Sequence, residues 1–215
     1  MGMPREAISG LYAITPDEQD TGSLLRRARL ALQGGARVLQ YRNKLASSGL
    51  RLEQAIALQA LAGEFAVPLI INDDMALALE VGAAGVHLGE SDGSVPAARR
   101  LLGPDKIIGV SCYNRLPLAS YAEAEGADYV AFGAFFASGI KPAAPVATIA
   151  LLHEARRKLD LPIVAIGGIT VENGAQLFRA GADALAVISA LFAADDVLLA
   201  ARQFADMNLN RKDAT

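Results

Sequence analysis

The sequence has few of the residues that build disulfides, zinc sites or histidine-based catalytic sites. Its 215 residues contain one cysteine, Cys112, two histidines and no tryptophan. A single cysteine excludes an internal disulfide and a cysteine-rich zinc site. It also fits a reducing compartment, so we expect a cytoplasmic protein.

The sequence also lacks an excess of positive charge and any long apolar segment. Lys and Arg number 20 against 23 Asp and Glu, for a formal net charge of −3, which is atypical of proteins that bind nucleic acid. The longest apolar run, residues 184–194, is about half of what a membrane-spanning helix requires. The first ten residues contain no apolar stretch, so we expect no signal peptide. These absences predict no nucleic-acid or membrane partner, and they leave homo-oligomerisation open.

What is abundant indicates a large aliphatic core. Hydrophobic residues make up 53% of the chain but aromatic residues only 6%. The core therefore consists mainly of Ala, Val, Ile and Leu, as in parallel strands that are buried on both faces and covered by helices.

Short apolar runs alternate along the chain with segments of helical periodicity. The predicted strands are residues 11–15, 38–42, 69–71, 85–88, 107–112, 129–133, 163–166 and 184–188. The predicted helices are residues 21–33, 52–65, 75–81, 95–102, 118–124, 146–159, 171–180 and 195–204. This order predicts a single (β/α)8 TIM-barrel domain over residues 1–215, with a polar, frayed tail after about residue 207. An open doubly wound sheet is the alternative, because periodicity does not show closure.

A weak internal repeat supports this count of elements. The dipeptides Gly35-Ala36, Gly82-Ala83, Gly126-Ala127 and Gly181-Ala182 each follow a predicted helix and precede a predicted strand. Glycine supplies the left-handed residue that ends a helix.

Two neighbouring predicted strands end in acidic residues. The third is followed by Asn72, Asp73 and Asp74, and the fourth by a loop that ends at Asp92. Parallel neighbours bring both ends to one edge of the sheet, where clustered carboxylates predict a hard divalent cation, Mg²⁺. Asn72 and Asp73 are adjacent, so both can serve the site only if the chain bends there. Helix capping by Asp73 or Asp74, and by Asp92 or Ser94, is the alternative.

A candidate anion site follows from the second predicted strand. Gln40, Arg42 and Lys44 alternate with period two, so a continuous strand would present all three on one side. At the carboxyl ends of barrel strands, where chemistry is found in this fold, such a group would bind an anion. A solvated strand end is the alternative.

Other strand ends carry further candidates. Ser111 is expected to donate to a phosphate but not to act as a nucleophile, because no His or Lys adjoins it. Cys112 is expected to be an inert buried thiol, and His87 a core histidine with satisfied hydrogen bonds. The long loop over residues 132–142 contains one cation, Lys141, and is either a lid or a plain connection.

The seventh and eighth strands end in residues suited to a phosphate cradle. Gly167 and Gly168 follow the seventh strand, and a short helix can start at Ser189 after the eighth. Barrels often bind phosphate at these two ends. Two phosphate sites at one barrel mouth, one of them beside a metal, describe an enzyme that joins two phosphorylated substrates or moves a diphosphate.

The motifs at the strand ends resemble, in order and over nearly the whole chain, those of the thiamine-phosphate synthase family. They are Gln40-Tyr41-Arg42-Asn43-Lys44, Ile71-Asn72-Asp73, Gly85-Val86-His87-Leu88-Gly89 through Asp92, Gly109-Val110-Ser111, Phe132-Gly133 through Lys141-Pro142, Ile166-Gly167-Gly168-Ile169-Thr170 and Val187-Ile188-Ser189. The resemblance implies a (β/α)8 barrel transferase of thiamine biosynthesis. It would join hydroxymethylpyrimidine diphosphate to a thiazole phosphate and release diphosphate by a dissociative, Mg²⁺-dependent route.

The resemblance also implies a role for each matching position. The residues that would hold the pyrimidine diphosphate are Gln40, Arg42, Lys44, Asn72, Ser111 and Lys141. Those that would hold Mg²⁺ are Asp73 and Asp92, and those that would face the thiazole phosphate are Ser138, Gly167, Gly168, Ile188 and Ser189. The expected catalytic residues are Arg42, Lys44 and Lys141, which would neutralise the leaving diphosphate, and Ser111, which would donate to it.

The chain departs from the family pattern in two places. Ser138-Gly139-Ile140-Lys141 stands where relatives carry Thr-x-Thr-Lys, and Cys112-Tyr113 stands where Thr-His usually follows the fifth-strand serine. Two alternative functions therefore stand beside the transferase. One is an isomerase like the related thiazole tautomerase, and the other is a non-catalytic phosphate-ligand binder with an altered thiazole loop.

Overall fold

Eight parallel strands close into a barrel in the order in which they occur along the chain. The computed structural model describes residues 8–136 and 147–212, with side chains through residue 208. The strands are β1 Gly10–Ile14, β2 Ala36–Tyr41, β3 Leu69–Asn72, β4 Gly85–Leu88, β5 Ile107–Tyr113, β6 Tyr129–Phe132, β7 Ile163–Ile166 and β8 Ala184–Val187. Closure through the pairing of β1 with β8 confirms the predicted TIM barrel and excludes the open sheet.

Nine helices occur in the part of the chain that the structure describes. They are α1 Thr21–Gln33, α2 Ser48–Glu64, α3 Met75–Glu80, α4 Val95–Leu102, α5 Leu116–Ala124, α6 Ile149–Lys158, α7 Gly174–Arg179, α8 Ser189–Phe192 and α9 Val197–Lys212. The bounds predicted for α1 and α4 are confirmed. Helix α2 begins earlier than predicted because Ser47 caps it by accepting from the backbone N–H of Leu50.

The C-terminal prediction was wrong. We expected the last helix to end near residue 204 and the chain to fray after about residue 207, but α9 continues to Lys212. Asn208 is buried, at 7% exposure, so this helix packs against the barrel beyond the point where its apolar pattern weakens. Among the described helices, none is long and apolar enough to cross a bilayer.

The barrel interior is aliphatic except for a polar layer near the middle. Its apolar cluster includes Ile14, Val38, Ile70 and Val164, together with two tyrosines, Tyr12 and Tyr129. The hydroxyl oxygens of these two tyrosines lie 2.7 Å apart. Buried hydroxyls need hydrogen-bond partners, so the interior chemistry depends on where the tyrosine protons go.

The Gly-Ala repeat lies at the amino ends of the strands. All four glycines have the positive φ that ends a helix: Gly35, Gly82, Gly126 and Gly181. After two of the repeats the next residue is aspartate, which sequence reasoning did not single out. Asp128 Oδ2 accepts from the backbone N–H of Ile108 and from Arg99, both at 2.7 Å.

Asp183 makes the same pair of contacts, with a backbone N–H and with an arginine. Its Oδ2 accepts from the backbone N–H of Ile163 at 2.9 Å and from Arg156 at 2.7 Å. Each arginine lies in the last turn of a helix, α4 or α6, and each aspartate directly precedes a later strand, β6 or β8. These pairs therefore fix helix ends to the barrel on the face away from the predicted site.

Replacing Asp128 with asparagine is expected to lower the free energy of unfolding by about 2 kcal/mol. The neutral amide cannot accept from both Arg99 and Ile108 with a charged oxygen, and the pair is largely buried. Urea unfolding followed by circular dichroism measures the change. Glu64→Gln is the matched control, because its 2.7 Å ion pair with Arg29 is exposed and should contribute little. An equal loss in both variants would contradict this interpretation.

Candidate active site

Asp73 bends away from β3 immediately after the strand ends. Its φ is +64°, and its backbone N–H donates to the carbonyl of His87 at 2.8 Å. This is the bend that the adjacent Asn72 and Asp73 required. It directs the Asp73 carboxylate toward that of Asp92, which is near enough to raise the pKa of Asp73, and toward Lys44, whose Nζ lies 3.2 Å from Asp73 Oδ2.

Neither of these two carboxylates caps a helix. Asp74 caps α3 by accepting from Leu77 N–H at 2.9 Å, and Ser94 caps α4 by accepting from the N–H of Ala97. Asp92 Oδ2 accepts instead from Gly89 N–H at 2.9 Å. The capping alternative therefore applies to Asp74 and Ser94 only.

Two carboxylates in contact suit a divalent cation. Burial, followed by the neighbouring Asp92 carboxyl group, raises the pKa of Asp73 against the opposing effect of Lys44. Within the described ranges, no group of three or more His, Cys, Asp or Glu residues could hold a metal ion. Mg²⁺ is commonly held by one or two carboxylates, with substrate phosphates and water completing its shell. The donor set at Asp73 and Asp92 fits that pattern.

The three residues of the predicted anion site, Gln40, Arg42 and Lys44, have different partners. Strand β2 ends at Tyr41, so the period-two argument does not extend to Arg42 and Lys44. Gln40 is only 3% exposed and its amide donates to Tyr12 inside the barrel at 2.8 Å. The expectation that all three side chains face one way together was therefore wrong. The chain leaves the strand one residue after Gln40.

Arg42 and Lys44 both lie at the barrel mouth against carboxylates. Arg42 Nη1 lies 3.1 Å from Asp17 Oδ2, and its backbone N–H and C=O both bond to the hydroxyl of Thr15 at 2.9 Å. Asp17 also accepts from the backbone N–H of Lys44. Sequence reasoning missed Asp17, although its position just past the end of the first strand was a usable signal.

A buried hydrogen-bond chain crosses the barrel beneath these residues. Gln40 contacts Tyr12, Tyr12 contacts Tyr129 at 2.7 Å, and Tyr129 contacts His87 Nδ1 at 2.9 Å. The other imidazole nitrogen of His87 lies 2.8 Å from Ser111 Oγ. This confirms His87 as a satisfied core histidine, whose pKa burial lowers to about 4. The two tyrosines were missed, although a polar aromatic residue at an inward position of an aliphatic strand was the available signal.

The end of β5 supports an inert Cys112. The pairing of β5 with β6 shifts register between Ser111 and Tyr113, and Tyr113 has a φ of +55°. Cys112 is fully buried, and burial raises the pKa of its thiol to about 12. The thiol is therefore neither nucleophile nor base.

The glycine pair after β7 has a backbone conformation that favours glycine. Gly167 and Gly168 have φ values of +102° and +64°, and a Cβ on Gly167 would lie 2.6 Å from the Cα of Ala134. Asn173, another residue that the sequence did not reveal, donates to Gly168 C=O at 3.0 Å. Ile188 precedes the four-residue helix α8, which begins at Ser189 as predicted.

Three predicted loop positions lie outside the described residues. They are Ser138, Ile140 and Lys141. The described chain on either side converges beside the glycine pair. Phe136 N–H donates to Gly167 C=O at 3.0 Å, and Ala147 N–H donates to Ala134 C=O at 2.7 Å.

Comparison with known proteins matches the chain to one family. A family model described as thiamine monophosphate synthase matches residues 11–191. The chain belongs to the thiamine monophosphate synthase family. The resemblance of the strand-end motifs is thereby confirmed, and the match spans β1 through the start of α8.

Individual relatives agree with the family match. A thiamine-phosphate synthase from Methylobacillus flagellatus is 59% identical over 197 residues, covering 92% of this chain and 94% of the relative. Another, from Nitrosomonas eutropha, is 53% identical and covers 95% and 97%. Among solved structures, thiamine phosphate pyrophosphorylase from Pyrococcus furiosus superposes with a TM-score of 0.87 at 33% identity, covering 96% of this chain and 98% of that one.

Proposed function

We propose that this family member catalyses the thiamine-phosphate synthase reaction. It joins hydroxymethylpyrimidine diphosphate to a thiazole phosphate and releases diphosphate, as a transferase of thiamine biosynthesis. Relatives that share more than half of their residues with nearly the whole chain support this assignment. The observation that carries it is the Asp73 carboxylate, which lies at the strand ends between a second carboxylate, Asp92, and the cation of Lys44.

Asp73 and Asp92 would hold Mg²⁺, and Asn72, at the end of β3, would contact the substrate beside them. When bound, the ion would supply positive charge for the leaving diphosphate. Arg42 and Lys44 supply the chain's own share of that charge. Asp17 and Asp73 hold these two cations at the barrel mouth, where they would exchange their carboxylate partners for phosphate oxygens. Lys141 would add a third cation.

The chemistry that suits this site is dissociative. The carbon–oxygen bond between the pyrimidine methylene and the diphosphate breaks, and its electron pair leaves with the diphosphate. The thiazole nitrogen then donates its lone pair to form the carbon–nitrogen bond. No base is required, and the described residues around Ser111 agree, because Cys112 is a buried thiol and both ring nitrogens of His87 have partners.

The thiazole phosphate would bind on the opposite part of the barrel mouth. Gly167 and Gly168 follow β7, and Ile188 and Ser189 follow its neighbour β8, so backbone N–H groups at these ends would face one ligand. Ser138 would complete this side.

Purified protein supplied with both substrates and Mg²⁺ is expected to release diphosphate in step with thiamine phosphate formation. Chelation with EDTA should abolish release, and added Mg²⁺ should restore it. Without the ion, the negative charge of the leaving diphosphate would not be sufficiently neutralised. A phosphate-release assay coupled to a diphosphatase measures both. Folded protein that releases no diphosphate would sink the proposal.

The same preparation separates the alternatives. An isomerase would interconvert thiazole tautomers without the pyrimidine substrate, and a binder would give heat in calorimetry without turnover. The isomerase would need a histidine in the segment after Ser111, where this chain has the buried Cys112 and then Tyr113. We therefore expect no such interconversion.

A further inference from the structure

The hydrogen-bond chain inside the barrel joins two predicted substrate-binding residues that come from different strands. Gln40 on β2 and Ser111 on β5 are its ends, and Tyr12, Tyr129 and His87 are its links. Its three linking residues are buried, with Tyr12 at 1%, Tyr129 at 0% and His87 at 8% exposure. Water therefore has little access to the links, and each proton must go to a neighbour in the chain.

Counting protons from the Gln40 end gives the chain a direction. Gln40 Nε2 donates to Tyr12 Oη, so the Tyr12 hydroxyl is already an acceptor. Tyr12 has one proton, and its only other hydrogen-bond partner among the described residues is Tyr129. If Tyr129 donated to Tyr12, the Tyr12 proton would be buried without an acceptor, which is costly. Tyr12 therefore donates to Tyr129.

The same argument carries the direction to Ser111. Tyr129 accepts from Tyr12, so its own proton goes to His87 Nδ1, its second partner. A nitrogen that accepts carries no proton, so in the neutral ring the proton resides on Nε2. His87 Nε2–H then donates to Ser111 Oγ. The Ser111 hydroxyl proton is left to point out of the chain, and Ser111 is only half-buried.

We propose that Tyr12, Tyr129 and His87 are positioning residues that couple the two ends of the chain, so that Gln40 presents its carbonyl oxygen to the substrate ring and Ser111 presents its hydroxyl proton to the same substrate. This rests on the proposed function for the identity of the substrate. The ligand class is then a heteroaromatic diphosphate with an N–H donor on the ring, for Gln40 Oε1, and an acceptor, such as a diphosphate oxygen, for Ser111. Reversing the chain requires turning the Gln40 amide, and that reversal would exchange donor and acceptor at both ends together.

Nitrogen-15 NMR of labelled histidine tests the direction without substrate. His87 and the exposed His153 are the two histidines of the chain, so one His153→Gln variant assigns both signals. We expect His87 as a single Nε2–H tautomer with a hydrogen-bonded Nδ1. An Nδ1–H tautomer would overturn the proposed direction. This measurement stands even if the protein proves inactive with the proposed substrates, so failure of the two proposals is distinguishable.

Two variants test the coupling. Tyr129→Phe keeps the ring but removes both hydroxyl contacts, so the His87 Nδ1 signal should move and kcat/KM for the pyrimidine diphosphate should fall about tenfold. Tyr12→Phe should leave the His87 signal in place yet raise KM for the same substrate, because only Gln40 loses its partner. Neither should change KM for the thiazole phosphate.

Tyr41→Phe is the matched control. It removes a buried hydroxyl that donates to Gln54 at 2.9 Å outside the barrel interior. We expect no change in the His87 spectrum. Wild-type kinetics in both Tyr12→Phe and Tyr129→Phe, or equal changes in KM for the two substrates, would overturn the positioning role.

Discussion

Asp73→Asn is expected to lower kcat/KM for diphosphate release by about 10²–10³-fold. Asparagine matches the shape of aspartate and tolerates the left-handed backbone, here at a φ of +64°, better than most residues. The bend therefore survives, whereas alanine would confuse loss of charge with loss of the bend. What is removed is one of two carboxylates proposed to hold Mg²⁺ and the partner of Lys44 at 3.2 Å. Initial rates across a Mg²⁺ titration measure the effect, and the half-saturating Mg²⁺ concentration should rise.

Asp74→Asn is a control one residue away. Asp74 caps α3 through its 2.9 Å bond from Leu77 N–H, and asparagine is an equally good N-cap. Stability and activity should both be close to wild type. If Asp73→Asn retained wild-type rates at low Mg²⁺, or if Asp74→Asn lost as much activity as Asp73→Asn, the carboxylate pair would not be the metal site.

The strand ends were predictable from sequence because they depend on local pattern. The run before Asn72 is apolar, the next two residues are acidic, and a helix follows, so the end of the strand could be located. The metal hypothesis required a bend there, and the structure has it at Asp73. Which of these residues cap helices could not be predicted from the same pattern. Asp74 and Ser94 differ from Asp73 and Asp92 by one or two positions only, and backbone torsions decide between them.

Contacts across the barrel could not be predicted in this way. Tyr12 and Tyr129 are 117 residues apart, and no local periodicity shows which inward positions of β1 and β6 meet. Gln40 was assigned to an anion site because its neighbours in sequence are cations. Its actual partner is Tyr12, on the adjacent strand. The partners of Asp17 and Asp128 could not be predicted for the same reason, since each contacts residues far from it in sequence.

Burial distinguishes the charged site residues at the barrel mouth from the neutral site residues that contact its interior. Arg42 and Lys44 lie at the barrel mouth and form ion pairs with Asp17 and Asp73. Gln40 and Ser111 instead contact buried side chains, Tyr12 and His87, which have further partners inside the barrel. Under the proposed function, the charged side chains at the mouth would exchange their partners for the diphosphate that leaves, while the neutral, buried side chains would keep the ring in place.

Gly109→Ala is expected to cost about 3 kcal/mol of folding free energy. A Cβ at this position would lie 2.0 Å from Tyr129 Cζ and 2.4 Å from its hydroxyl oxygen. The ring is fully buried, so it has to move, and its bonds to Tyr12 and His87 are lost with it. Gly109 thus matters for the space that it leaves, a property that the motif Gly109-Val110-Ser111 does not reveal. Thermal and urea unfolding measure the loss.

Gly63→Ala is the control for the chemical change alone, because nothing lies within 4 Å of a Cβ there. It lies in the last turn of α2, so alanine should be neutral or stabilising by up to about 1 kcal/mol.

The double variant Gly109→Ala with Tyr129→Leu separates the steric clash with the Tyr129 ring from the loss of the hydrogen-bond chain. Removing the ring should restore part of the stability, since the two changes share one space and do not add. It should not restore kcat/KM, because leucine cannot link Tyr12 to His87. Additive destabilisation in the double variant would mean that Gly109 acts through its backbone and not through the space it gives to Tyr129.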